Sequence, residues 1–204
     1  MSLIRRLFGP SRKEIWQKLS QEMDARYVQG GFGKGDKVEV DHGDWTVTLD
    51  TYVVSTGKSA MVFTRMRAPY ANPGGFRFTV YRRSIFSGIG KFFGMQDIEI
   101  GDPQFDHDFI IQSNRESQVR ELLANVKIRD LISRQKDIQF SVKDDEGWFG
   151  TKFPDGVDEL HFVVVGVIKD IERLRLLYDL FAETLDHLCR IGAALETAPN
   201  VKLK

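Results

Sequence analysis

From Trp45 to Val53 every second residue, Trp45, Val47, Leu49, Thr51 and Val53, is apolar or β-branched. Successive side chains of an extended chain point to opposite faces, so this stripe predicts a strand over 45–54 with one face on a core. Thr56-Gly57-Lys58 reads as a turn, 59–67 as a second strand, and 76–83 alternates again as a third. The segment 68–75 carries two prolines and two glycines, which predicts a loop. The three strands are expected to form an antiparallel meander. Near the other end of the chain, Asp170 is placed to cap a helix over 170–192 marked by Ile171, Leu174, Leu177, Tyr178, Phe181, Leu185 and Leu188. That apolar face is too wide to be left in water, so the helix is expected to lie across the sheet.

The remaining pattern alternates between helices and strands. Ser11 and Glu14 form a capping box ahead of Ile15, Trp16, Leu19, Met23 and Tyr27, which predicts a helix over 12–28 ending at Gly30-Gly31. Val38 and Val40 mark a short strand. Strands are expected at 97–101 and 107–112 around a Gly101-Asp102-Pro103 turn. Ser113 and Glu116 suggest a second capping box, opening a helix with Val119, Leu122, Leu123 and Val126 on one face and a break before about 132. Ile138, Phe140 and Val142 alternate as a strand, and another is expected at 159–166. Strands grouped between helices imply an α+β fold: an antiparallel sheet covered by helices, with two small sheets as the alternative. The 15 Phe and 3 Trp supply ample core material for one domain over 1–193, followed by a patternless tail, 194–204, expected to be disordered.

The single cysteine, Cys189, cannot form an internal disulfide, which fits a reducing compartment. The N-terminus has no hydrophobic run of signal-peptide length, Ser2 stands where myristoylation needs glycine, and no stretch approaches the ~18 apolar residues of a spanning helix. A cytoplasmic protein is expected.

No motif assigns catalysis. Gly30 to Gly35 is glycine-rich, but it follows a helix and precedes a strand, the reverse of a phosphate-binding loop. Asp106 and Asp108 point away from His107 on a strand, so this trio does not converge on a metal. Asp144 to Gly147 lacks the alternating ligands of a calcium loop. The four histidines, His42, His107, His161 and His187, show no metal-binding spacing, and no Ser or Cys sits in a nucleophile elbow. Neither catalytic residues nor a metal or other cofactor is assigned.

Charge is segregated. Residues 51–96 contain no acid but carry Lys58, Arg65, Arg67, Arg77, Arg82, Arg83 and Lys91, so +7 here balances −7 elsewhere in a chain of formal net charge zero. With 68–76 as a hairpin connection, Arg67 would face Arg77 and Phe63 would face Tyr81, gathering Arg65, Arg67, Arg77, Tyr81 and Arg83 on one sheet face. Such a face suits an anionic partner or stacked bases. The competing reading pairs these arginines with Asp and Glu of the same chain. Ile85, Phe86, Ile89, Phe92 and Phe93 form a separate apolar loop beside basic residues, suited to a protein contact, self-association or an anionic membrane surface. Leu3, Ile4, Leu7 and Phe8 beside Arg5 and Arg6 are similar in kind.

Asp102, Pro103, Phe105 and Phe109 form an Asp-Pro-x-Phe-x-x-x-Phe element that leads through a strand into a capped helix. With the 143–149 and 159–192 segments, it resembles an uncharacterised bacterial protein family of unknown function. The resemblance implies a bacterial cytoplasmic protein and carries no activity or site residues with it. The reading from the residues is therefore an interaction domain with a basic, aromatic sheet surface. The alternative is a small-ligand-binding protein or enzyme with a pocket between the sheet and the C-terminal helix.

Overall fold

Ser11 and Glu14 do cap the first helix in the computed structural model of the protein, which describes residues 10–31, 35–55, 57–84, 97–145, 152–199, 201 and 203. Ser11 Oγ accepts from the Glu14 amide at 3.3 Å, and the Glu14 carboxylate accepts from the Ser11 amide at 2.9 Å. Helix α1, Arg12–Glu22, is shorter than its apolar spacing implies. Asp24 takes a left-handed φ of 50°, and the chain turns into strand β1, Arg26–Val28. Tyr27 is thus a strand residue, not the last turn of a helix.

Strands β2 (Lys37–His42), β3 (Trp45–Ser55), β4 (Ala60–Ala71), β5 (Phe78–Arg82), β6 (Phe109–Ser113), β7 (Gln139–Lys143) and β8 (Val157–Val165) join β1 in one sheet. Its order is β1-β2-β3-β4-β8-β7-β5-β6, with every pairing antiparallel. The architecture is α+β, with a single sheet in place of two small ones. The expected meander holds for β3 and β4, paired from Thr48↔Arg67 to Ser55↔Ala60, and fails for β5. Strand β4 runs on through Pro69 to Ala71, where it pairs with β8 and no longer with β3, a setting in which a strand tolerates proline. Asn72 then organises a buried turn in place of a hairpin. Its side chain accepts from the Phe76 amide at 3.1 Å and donates to Phe76 O at 2.8 Å and to Asp158 at 2.6 Å. Strands β8 and β7 consequently separate β4 from β5.

The Asp-Pro element starts a helix instead of linking two strands. Asp102 caps α2, Pro103–Asp108, by accepting from the Phe105 amide at 3.2 Å, and Pro103 fills the first turn, where its missing N–H costs nothing. Phe105 and Phe109 are both buried, with ring centroids 4.5 Å apart. The second capping box is not made, since Arg115 is the N-cap of α3 (Glu116–Ala124) and Ser113 Oγ accepts from the Arg115 amide at 3.0 Å. Asn125 accounts for the break before α4 (Val126–Ser133), because its side chain caps Lys127 at 2.9 Å and Ile128 at 3.4 Å.

Leu49, Met66, Phe162, Phe140, Val80 and Ile111 lie in register across six strands on one sheet face. Helix α5, Ile171–Arg190, packs on this face, and Leu174, Leu177, Phe181 and Leu185 are all fully buried. Phe181 meets Phe140 edge to face at 5.5 Å. Trp16 of α1 joins the same core and donates to Ile168 O at 3.5 Å. Beyond α5, Ala193 and Ala194 are buried, and the Leu195 amide donates to Ala71 O at 3.1 Å.

Candidate functional site

The sheet face opposite the core carries a second row in register: Thr48, Arg67, His161, Ser141, Thr79 and Gln112. All six are buried. Arg67 is only 1% exposed, and its guanidinium donates to Asp50 at 2.7 Å and lies 3.8 Å from Glu159. Arg65 grips the same Asp50 carboxylate at 2.5 and 3.0 Å and lies over the Tyr52 ring at 5.0 Å. Burial pulls the pKa of Lys143 down, against the pull of Glu159 and Asp145. Burial also pushes His161 well below its ordinary value, and Lys143 and Arg67 act in the same direction, so the ring is neutral. Ser141 and His161 stand opposite each other, and Ser141 Oγ and His161 Nδ1 are buried without a hydrogen-bond partner among the described residues.

The five residues expected to form an anion-binding face are dispersed. Arg65, Arg67 and Tyr81 do share the side away from the core, but three strand spacings, about 14 Å, separate β4 from β5. Arg67 faces Thr48 and His161, not Arg77. Arg77 lies ahead of β5 and pairs with Asp144 at 3.0 Å and Asp158 at 3.3 Å. Tyr81 is buried, which raises its pKa, with Asp97 adding to the effect. Arg83 is exposed and donates to the carbonyls of His107 and Asp106, both at 3.2 Å. Internal pairing thus absorbs Arg65, Arg67 and Arg77. The apolar loop residues Ile85, Phe86, Ile89, Phe92 and Phe93, and the N-terminal apolar residues up to Phe8, lie outside the described residues.

The space between the sheet and α5, the alternative place for a ligand, is filled by Phe140, Phe162, Leu177 and Phe181. A cleft of about 590 Å³ opens on the opposite side, between strand residues such as Lys37, Thr46 and Thr48 and the C-terminal residues Ala198, Pro199, Val201 and Leu203. In its wall Lys37 pairs with Glu39 at 2.6 Å, and Arg26 with Asp41 and Glu39. Among the described residues no group of three or more His, Cys, Asp or Glu side chains could hold a metal ion. On α2, His107 contacts Asp108 at 3.0 Å, while Asp106 accepts from the Ile100 and Gly101 amides, each at 2.9 Å.

A different surface emerges where β3, β4 and β8 end. Val53 pairs with Val62, Val54 with Met61, and Phe63 with both Tyr52 and Val165. Val53, Val54, Met61, Val62 and Val165 are the exposed large apolar side chains of this region, with Val53 61% and Val165 66% exposed. Tyr52 and Phe63 stack beside them at 5.1 Å and 13°, under the Arg65 guanidinium. Sequence reading missed this surface, although a signal was present. Tyr52-Val53-Val54, Met61-Val62-Phe63 and Val163-Val164-Val165 are apolar at consecutive positions, so each strand end offers apolar groups to both sheet faces. Among the described residues no helix is long and apolar enough to cross a membrane. Compared with known protein families, curated proteins and solved structures, the chain matches none of them.

Proposed function

We propose that this protein is an interaction domain that meets its partner through the ends of β3, β4 and β8. The observation that carries this reading is the register-paired cluster Val53, Val54, Met61, Val62 and Val165, exposed at one end of an otherwise well-filled sheet. Contiguous exposed apolar surface marks an interaction site, whereas scattered single apolar residues do not. The Tyr52–Phe63 stack borders it, with Arg65, held by Asp50, lying over the Tyr52 ring. Arg67 and Arg77 belong to the scaffold.

A photoreactive side chain at Val54 or Val165, used in the native host, tests the reading. Val126 is the control, since it is 67% exposed but stands alone on α4. Adducts to protein or lipid from 54 and 165 well in excess of those from 126 are expected. Equal labelling from all three positions rejects the surface.

A further inference from the structure

The geometry points to an anionic lipid bilayer as the partner of this end of the sheet, with the apolar side chains entering the interface and Lys136 and Lys169 meeting the lipid phosphates. This inference rests on the interaction-domain reading and adds the chemistry of the partner.

Two observations select lipid. The first is that the hairpin end is apolar on both sides. Val53 and Val62 share the side of the sheet that carries the core, Val54 and Met61 share the opposite one, and all four are exposed. A flat protein surface can cover only one side of a hairpin. A bilayer interface surrounds both, and apolar area buried there adds to electrostatic attraction for anionic lipid.

The second is charge. Residues 51–66 contain no acid, and their only cations are Lys58 and Arg65. Two residues beyond Val165, Val167 enters the wall of a cleft of about 330 Å³ that also holds Arg134, Lys136, Lys169, Arg173, Asp170 and Glu172. Both acids are engaged, Asp170 capping the Arg173 amide at 3.2 Å and Glu172 pairing with Arg175 at 3.1 Å. Arg134 pairs with Asp130 at 2.8 Å, and Arg173 donates to Gln135 Oε1 at 3.2 Å and to Asp137 O at 3.1 Å. Lys136 and Lys169 are exposed and have no ion pair among the described residues. The cleft therefore offers two uncommitted ammonium groups next to an apolar projection that has no negative charge to repel phosphate. A protein groove of matching shape meets the apolar requirement but gives the two lysines no reason to lie beside it.

Co-sedimentation of the full chain with vesicles tests this. Binding to vesicles of phosphatidylcholine with phosphatidylglycerol is expected, with little to phosphatidylcholine alone. Lys136→Gln with Lys169→Gln should weaken that binding about thirtyfold at low salt, the effect of two basic residues at an anionic surface. Val53→Ser with Val165→Ser should weaken it at every salt concentration, because the apolar contribution is not screened. A polarity-sensitive dye on Met61→Cys, in a Cys189→Ala background, should shift to the blue on vesicles. Millimolar inorganic phosphate should not compete; if it displaces the protein, the cleft is a site for free phosphate and the bilayer assignment is wrong. Failure of the wild type to bind anionic vesicles overturns the lipid inference. Protein adducts from 54 and 165 in that case leave the interaction surface standing, and absence of all adducts rejects both.

Discussion

The two halves of the β3–β4 hairpin are inverted with respect to each other. Around Thr48 and Arg67 the charged groups are inside, with Arg67, Asp50 and Glu159 all buried. Around Val53 and Val62, a few residues along the same two strands, the apolar groups are outside. Residue class alone predicts the reverse of each. A buried charge and an exposed apolar cluster are both more informative than the ordinary arrangement. One half spends interaction free energy on holding the sheet together, and the other leaves surface free to meet something else.

The sharpest way to break this contrast is Arg67→Ala. Removing Arg67 from this buried ionic group leaves Asp50 to Arg65 alone and takes from Glu159 the guanidinium 3.8 Å away, and a loss of about 3–5 kcal/mol in chemical denaturation is expected. A loss below about 1 kcal/mol would mean that the arginine is not structural. On the core side, Phe181→Ala should cost a comparable ~3–5 kcal/mol, because it empties a fully buried aromatic site against Phe140. If Arg67→Ala and Phe181→Ala differ severalfold, the two sheet faces are not equally important to the fold.

A smaller effect is expected at the junction of α3 and α4. Glu183 accepts from Asn125 at 2.7 Å and pairs with Lys127 and Arg190, each at 2.9 Å. Burial opposes its charge, but Lys127, Asn125 and Arg190 outweigh burial and lower its pKa from 4.5 to about 2. Because the folded pKa is depressed, its contribution to stability is complete above about pH 4.5 and is lost as pH falls towards 2. Glu183→Gln should therefore lower stability by roughly 1–2 kcal/mol at neutral pH and flatten the acid side of the stability profile between those values. An unchanged acid limb in urea titrations would show that Glu183 is not the group responsible.

The smallest effects belong to the exposed end and to the unpartnered pair. Val53→Ser and Val165→Ser should each change stability by no more than about 0.5 kcal/mol while weakening partner binding. A larger loss of stability would make the cluster part of the core. Ser141→Ala removes a buried hydroxyl that has no partner among the described residues, so stability should stay level or rise slightly. A fall of about 1 kcal/mol or more in thermal or chemical unfolding would reveal a hydrogen bond there.

Much of the scaffold was legible because its signals are local. The Trp45 to Val53 stripe, the apolar face of α5 and the Ser11–Glu14 capping box each depend on spacing within a few residues. The Asp-Pro element was only half legible, since Asp followed by Pro suits a turn and the first turn of a helix equally well, and the contact between Phe105 and Phe109 selects the helix. The position of β5 was illegible. Two prolines and two glycines in 68–75 signal a loop, but Asn72 and Asp158 build a turn that sends β5 elsewhere. That single change dispersed the arginine face.

The sequence by itself determined the strand stripe of β3, the capped start of α1 and the long helix α5, and that one sheet face must be apolar. Side-chain periodicity and capping act between neighbours, so they are present in the chain before it folds. Only the tertiary structure decided that β8 and β7 stand between β4 and β5, that Arg67 meets Asp50 and Glu159, and that the valines of β3, β4 and β8 remain exposed. The reason is distance along the chain. Strand β8 begins 86 residues after the end of β4, and no local preference specifies which strand will cover, pair with or leave bare the edge of another.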